Sequence, residues 1–559
     1  MRLVWLAVNA SYSHSSLALP LLHSAARDVP GVEWHAVRGT AKEPPIELAD
    51  RVAALAPDVV AASVFLFTRR AVLDTVARVK ALRPETTVIL GGPEFLGENQ
   101  DFLQRNPGIG AVMRGEGEQS FARWLEAHSV ASQWPDIPGL CWIDARGNYR
   151  DNGLAEAVLD SLPLPEESPF FDWGGPFVQL ETSRGCPNRC SFCTSCRSRP
   201  RAFSWNRVVA ELELVRRHEV SEVRILDRTF NSPPERAIKL LRLFRDEYPD
   251  ISFHLEIHPA AFTEALCAEL EAARPEQLHL EIGLQSGTPS VLRALGRCDN
   301  VGRAWDSVGF LCRKTQVRTH VDLIAGLPKQ TFDNLRADLA RLAQLGPTEI
   351  QLEVLKLLPG TPLHSQAPSL GLVASPMPPY DVLATPSMPR QDLTDIRRLS
   401  RFIDQFYNQP QLHEAIRTAL VRNPSFLCDE LPTYSDSELA TTPSSLRNRF
   451  RYLHQRLAKQ EYDGAREKLE LAWILHGFSP ERGLSEASCW TGLPPIDAGL
   501  IAGTPPNHTA AKHRVWRLEQ TNQEYWFVYR GRGAAHKPLA VYTRERHGSG
   551  SGKAGSARE

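Results

Sequence analysis

The chain has almost no net charge, no long apolar run and few cysteines for its length. Its 64 Lys and Arg are balanced by 65 Asp and Glu, for a formal charge of −1. That balance supplies no electrostatic reason for nucleic acid or an anionic membrane to be an obligate partner. No apolar stretch approaches the roughly 20 residues of a membrane span. The apolar run from Leu3 to Val8 is six residues, short of the roughly 7–15 of a secretory h-region. It reads as a first β-strand. Ten cysteines in 559 residues are too few for a disulfide framework, and four of them fall within Cys186–Cys196. Clustering of this kind favours a reducing compartment and metal chemistry, so the expected location is the cytoplasm. The length suits about three or four domains.

What the chain does have is one stretch around which the rest is organised, ETSRGCPNRCSFCTSC, from Glu181 to Cys196. Cys186, Cys190 and Cys193 stand in a CxxxCxxC spacing, so three thiolates can converge on one metal centre from a single loop. Three cysteines suit a cubane iron–sulfur cluster with one iron left open. Phe192 is an aromatic that can pack beside a bound cofactor. Cys196 adds a fourth thiol, and the four together are also a possible structural zinc site. A zinc knuckle needs no barrel after it, and a barrel pattern follows.

Residues 1–135 alternate strand and helix patterns. Leu3–Ala7, Val32–Val37, Val59–Ser63, Thr87–Leu90 and Ala111–Met113 read as strands, with amphipathic helices between them. Repeated βα units predict a parallel, doubly wound, Rossmann-like sheet, which binds ligands beyond its strand carboxyl ends. Those ends carry Asn9, Ser63, Gly91, Gly92, Gly115, Glu116 and Gly117. Residues 136–176 read as a connector, with a candidate strand at Leu140–Ile143. From 177 to 358 the alternation resumes, with strands expected at Phe177–Thr182, Glu222–Leu226, Ser252–Ile257, Gln277–Ile282, Thr319–Ile324 and Glu349–Leu355. Six repeats predict a partial (β/α)6 barrel with its chemistry at the strand C-terminal ends. The polar residues there are Asp227, Glu256, Glu281, Gln285, Ser286 and Asp322, with Gly326 in a following turn.

Residues 359–395 are rich in Pro and Ser and read as an extended linker, wrapping the barrel mouth or joining domains. Residues 396–546 predict a mostly helical α+β accessory domain. Its helices are expected at Asp392–Tyr407 and Ser444–Leu475, and its strands at Val515–Leu518, Tyr525–Tyr529 and Leu539–Tyr542. Arg447, Arg449 and Arg451 there read as a solvated helix face. The tail 547–559 reads as disordered. The whole is an α/β protein with an α+β C-terminal domain.

The CxxxCxxC loop, with its aromatic before the last cysteine, resembles that of radical S-adenosylmethionine (SAM) enzymes. LGGPEF followed by RGEGEQSF, ahead of that loop, resembles the cobalamin-binding domain that precedes many of them. The opening VNASYSHSSLA matches the branch with a C-terminal domain of unknown function. The resemblance implies a 4Fe–4S cluster on Cys186, Cys190 and Cys193, with SAM on the open iron. It implies SAM contacts from Phe192, Asp227, Glu256, Glu281, Gln285, Ser286, Asp322 and Gly326. It places cobalamin on Asn9, Ser63, Gly91, Gly92, Gly115, Glu116 and Gly117. The sequence departs from many cobalamin domains in having no DxHxxG; His14 is nearby in another pattern, so no histidine is expected beneath the cobalt. Three functions follow: methyl transfer to an unactivated carbon, a cyclisation or rearrangement without methyl transfer, or a non-catalytic corrinoid- or metal-binding module. The expected partners are a small-molecule or peptide substrate and an external one-electron reductant of the flavodoxin or ferredoxin type. A tRNA-methylthiolating enzyme is disfavoured by the corrinoid-like domain and the absent positive charge.

Overall fold

Short apolar runs alternating with amphipathic ones give strands that are covered by helices on both faces. The computed structural model describes residues 1–10, 16–196, 198–297, 300–480, 484, 487–490, 494–503, 513–530 and 537–546. Strands β1 (Arg2–Asn9), β2 (Glu33–Thr40), β3 (Val59–Ser63), β4 (Thr87–Gly91), β5 (Ala111–Met113), β6 (Leu140–Ile143) and β7 (Tyr149–Asp151) form one sheet in the order β2-β1-β3-β4-β5-β6-β7. β1 to β5 are parallel, and β6 and β7 add antiparallel. Alternate residues feed two cores. Leu6, Val60 and Leu90 pack with Val72 and Val76 on one face, and Trp5, Ala61 and Ile89 with Phe121 and Trp124 on the other. The strand order reverses at β1 and β3, which is where such sheets open a ligand crevice.

The sheet runs past the expected boundary at 135, because β6 and β7 form a hairpin. Its turn is held by the Asp144 carboxylate, which accepts from the Arg146 and Asn148 backbone N–H groups at 2.9 Å each. The first part of the expected connector therefore belongs to the sheet.

The barrel strands are Val178–Leu180, Glu222–Ile225, Ser252–Ile257, Leu278–Gln285, Arg318–Ala325 and Glu349–Val354, each hydrogen-bonded to its neighbour in chain order. Burial alternates strictly along them, as in Leu278–Gln285 and Arg318–Ala325. Every second residue points into a polar interior.

The Pro-rich stretch does not act as a free linker. Leu352–Ile396 falls in the same compact unit as Met1–Asp338. Val382 N–H donates to Leu355 O at 2.8 Å, Leu363 N–H to Ser191 O at 2.9 Å, and the Tyr380 hydroxyl to Glu94 Oε2 at 2.8 Å. Proline lowers the entropy of the free chain, so holding this extended strap costs little. It wraps the barrel and reaches the first sheet.

A second unit comprises Leu339–Gln351 and Arg397–Glu559. Its helices include Pro410–Arg422, Leu446–Lys459 and Asp463–Leu475, the last two separated where one long helical stretch was expected. The break falls at Glu461, whose φ is 58°. A five-stranded antiparallel sheet contains His513–Glu519, Gln523–Arg530 and Ala540–Glu545. Buried Glu430 is held by Arg456 Nε at 2.7 Å. The tail 547–559 lies outside the described residues. Among the described residues no helix is long and apolar enough to cross a membrane.

Candidate active site

The cysteine loop leaves the first barrel strand through a short antiparallel pairing of Ser183–Arg184 with Arg201–Ala202. Gly185, just before Cys186, has φ 88°, and a Cβ there would stand 2.3 Å from Arg199 O. Only glycine fits that turn. Cys186 N–H donates to Ser198 O at 3.1 Å and Cys193 N–H to Cys190 O at 3.1 Å, which curls the loop on itself. Cys186, Cys190, Cys193 and Cys196 are half-buried, as is Phe192. The Cys186 sulfur lies 3.2 Å from Thr229 Oγ1, at the end of the second barrel strand. A tetrahedral zinc would draw its thiolates to roughly 3.8 Å of one another. Among the described residues the cysteine sulfurs do not gather within 4.8 Å of each other. A cubane, which seats each thiolate on its own iron, spreads them more widely.

Asp227 sits beneath this loop. It is buried, and it accepts from Thr182 N at 2.7 Å, Ser183 N at 2.9 Å and Ser183 Oγ at 2.7 Å, and also from the Thr182 hydroxyl. Burial pushes its carboxyl up while these hydrogen bonds pull it down, for a net rise. Asp227 therefore fixes the point where the loop departs. Ser286 is likewise engaged: it is buried, donates to Asp338 Oδ2 at 3.1 Å and accepts from Thr288 N at 3.1 Å.

Glu256, Glu281 and Asp322 point into the barrel. Asp322 is pushed well above the usual carboxylate range, by burial and then by the charges of Glu281, Glu256 and Glu353. Its Oδ1 is buried without a hydrogen bond. Burial also raises Glu256, whose Oε1 lies 3.5 Å from Arg228 Nη1. Glu281 is held low by its 2.9 Å hydrogen bond with His254. Below this acidic layer His254 and His279 stack edge to face at 4.5 Å. Burial drives His279 down to about 3, so it is neutral. Gln285 has φ 67°, and its buried Oε1 is without a partner. A Cβ at Gly283 would meet the Gln285 amide at 2.7 Å, so the glycine makes room for that side chain. The Gly326 turn packs on Leu393 of the strap, which would lie 3.2 Å from a Cβ there.

At the β1–β3 reversal lies a cleft lined by Asn9, Ser63, Phe65, Arg38, Phe170 and Gln179 among others. Two of the seven residues expected on this edge, Asn9 and Ser63, line it. The glycines serve packing instead. A Cβ at Gly92 would meet Ser63 Oγ at 2.7 Å, and one at Gly115 would meet Ala155 O at 2.3 Å. Gly91 and Gly117 meet ordinary or slightly close neighbours, Met113 O at 3.7 Å and Leu22 at 3.3 Å. His14 lies outside the described residues.

Glu116 joins a network that sequence reasoning missed. Arg184, of the cysteine loop, reaches Glu116 Oε2 at 3.3 Å, Glu118 Oε1 at 2.6 Å and Glu181 Oε2 at 2.7 Å. Arg201 pairs with Glu116 from the other side and donates to Ala157 O at 2.7 Å. The Arg184 side chain is 10% exposed and that of Glu118 is 7%. The loop after β5 and the cysteine loop are thereby tied together by buried charge.

A sheet with a crevice at its switch point, followed by a partial barrel with a three-cysteine loop, is similar to the arrangement of a B12-binding domain ahead of a radical SAM domain. Comparison with known families agrees. Residues 4–125 match the B12 binding domain, 180–342 the Radical SAM superfamily, and 369–476 a domain of unknown function, DUF4080. The chain carries these three domains in that order. It is similar to an uncharacterized methyltransferase of Pyrococcus horikoshii, 27% identical over 52% of this chain and 66% of the relative. It is also similar to the cobalamin-dependent radical SAM methyltransferase TokK of Streptomyces tokunonensis, 25% identical over 57% of this chain and 49% of that one. The matches thus span between half and two thirds of these relatives' length. Among solved structures, the methyltransferase TsrM from Kitasatospora setae, with cobalamin and a 4Fe–4S cluster bound, shares the fold at a TM-score of 0.56. That likeness covers 67% of this chain and 79% of TsrM at 20% identity.

The cofactors of these domains are a 4Fe–4S cluster, SAM and cobalamin. The residues fit them. The glycine-enforced turn presents three cysteines, Asp322 Oδ1, buried without a hydrogen bond and 3.4 Å from His320 Nε2, lies in an acidic cup suited to a cation, and the cleft opens on the sheet edge used for ligands.

Proposed function

We propose that this chain is a cytoplasmic cobalamin-dependent radical SAM methyltransferase acting on an unactivated carbon of a small-molecule or peptide substrate. The observation that carries this reading is Arg184, whose guanidinium links the cysteine loop to Glu116 and Glu118 beyond β5. Two cofactor-bearing loops joined by a buried ion network suit a reaction that needs both cofactors. When bound, the cluster and SAM supply a carbon radical that abstracts hydrogen, and the corrinoid supplies a methyl group. Cys186, Cys190 and Cys193 hold the cluster, with Phe192 beside it. Glu256, Glu281 and Asp322 form an anionic cup for the amino and sulfonium charges of SAM, and Gln285 offers its free amide oxygen to a hydroxyl. Asn9 and Ser63 offer hydrogen bonds to the corrinoid's amide edge. The strap 355–396 limits entry of water, which protects a radical from side reactions.

The test is anaerobic reconstitution with SAM, methylcobalamin and titanium(III) citrate, followed by mass analysis of host metabolite extracts. A product heavier by one methylene unit, formed as SAM is consumed, is expected. SAM consumption with an isomeric product instead assigns a rearrangement, and no SAM consumption overturns the enzyme reading.

A further inference from the structure

The residues from Thr182 to Arg201 include five arginines and no Asp or Glu, in a chain whose net charge is −1. Two of the five, Arg184 and Arg201, turn inward to Glu116, Glu118 and Glu181. Arg189 and Arg199 do the opposite: both are exposed and neither is paired with a carboxylate among the described residues. Arg189 directly precedes Cys190. Arg199 is anchored through its carbonyl, which lies against Gly185, the residue before Cys186.

A third exposed arginine, Arg293, unpaired among the described residues, stands on the helix Pro289–Ala294. The turn after that helix is fixed to the cysteine loop. Leu295 O accepts from Ser191 N at 2.8 Å, and a Cβ at Gly296 would lie 2.8 Å from Arg189 O. Arg189, Ser191, Ala294, Gly296, Pro362 and Gln366 line an open groove here. Thus Arg189, Arg199 and Arg293 all stand on backbone pinned to the cysteine loop, and among the described residues no carboxylate pairs with them.

Resting on the function proposed above, we propose that the face carrying Arg189 and Arg293, with Arg199 on the same loop, is the docking face for an acidic one-electron carrier of the flavodoxin or ferredoxin type. Electron transfer falls steeply with distance, so a carrier must dock where the cluster comes nearest the surface. Exposed Arg189 directly precedes Cys190, whereas Glu116 and Glu118 on the other side are closed off by their ion pairs with Arg184. Redox encounters are small, under about 1,200 Å², and short-lived. Local charge complementarity steers them without a large apolar patch. The electron balance is simple: one electron leaves the reduced carrier, and the cluster gains it.

The experiment compares reduction of the reconstituted holoenzyme by reduced flavodoxin and by titanium(III) citrate, following loss of cluster absorbance. In the native protein the flavodoxin rate is expected to fall steeply as salt is raised. In R189E/R293E that rate should drop about tenfold or more at low salt, with the titanium rate unchanged. R189K/R293K, which keeps the charge, should stay within about twofold of native. A flavodoxin rate that ignores salt in the native protein, or that is equal in native and R189E/R293E, overturns the docking face. Absence of any titanium-reducible cluster overturns the functional reading and the docking face together.

Discussion

The two sheets of the first unit begin from the same βα alternation and handle burial in opposite ways. β3 and β5 are buried at nearly every residue, so the first sheet is apolar on both faces and keeps its polar groups for its edge. In the barrel, Ser252–Ile257, Leu278–Gln285 and Arg318–Ala325 alternate strictly, with His, Glu and Asp on the inner side. A sheet covered on both faces can take a ligand only at its rim. A half-closed barrel lined with charge can take one inside. The difference separates two cofactor sites by burial pattern alone.

The largest effect should come from the barrel side. Replacing Cys186, Cys190 or Cys193 by Ala should remove the iron–sulfur absorption and SAM cleavage entirely, while cobalamin uptake by the first sheet persists. Cys196→Ala should retain the cluster. Cluster loss in Cys196→Ala, or stoichiometric zinc in the native protein by metal analysis, would return the loop to a structural zinc site.

Removing the tie between the two sheets comes next. Arg184→Ala leaves Glu116, Glu118 and Glu181 without their shared cation, and breaking a buried pair in this way costs about 3–5 kcal/mol. Burial already holds the Glu181 carboxyl above its ordinary range despite Arg184. A raised carboxyl binds more protons folded than unfolded, so the variant's deficit should grow as pH rises and shrink as pH falls. Denaturant unfolding at two pH values measures this. A deficit that is independent of pH would remove the charge argument.

Ser63→Trp should act only on the first sheet, by filling the cleft at the β1–β3 reversal. Cobalamin binding, read from the visible spectrum after gel filtration, should fall by about tenfold or more for a loss of about 1.4 kcal/mol. Uncoupled SAM cleavage should continue near the native rate. Full cobalamin retention would move the corrinoid away from this cleft.

Much of this comparison was legible in the sequence. The βα rhythm, the order of the domains and the three cysteines follow from spacing and periodicity. Inward placement of Glu256, Glu281 and Asp322 follows from alternation along strands. What stayed hidden was direction and long-range pairing. Asp227 stands at a rim position in the chain, yet its carboxylate turns back to the Thr182 and Ser183 backbone. Arg184 and Glu118 are 66 residues apart, and no local pattern announces their contact. Gly92 and Gly115 look like clearance for a corrin, but the atoms a Cβ would strike belong to Ser63, Val64 and Ala155. Glycine marks a close approach without saying what approaches. Leu140–Ile143 was legible as a strand, but β7 and the hairpin it forms were missed because three residues carry too little periodicity to read.

The smallest effect probes the polar interior itself. Asp322 is pushed up by burial and by Glu281, Glu256 and Glu353, so in the ligand-free barrel it tends to hold a proton. A cation entering the cup stabilises the ionised form and should drive that proton off. SAM binding should therefore strengthen as pH rises and should release protons. Asp322→Asn has no such proton to lose. It should bind SAM a few-fold more weakly at high pH and show a flatter pH dependence, with the cluster absorption unchanged. Calorimetry in two buffers of different ionisation enthalpy reads the proton release directly. Equal release in the native protein and Asp322→Asn would show that another group titrates, with Glu256, also raised by burial, the next to test.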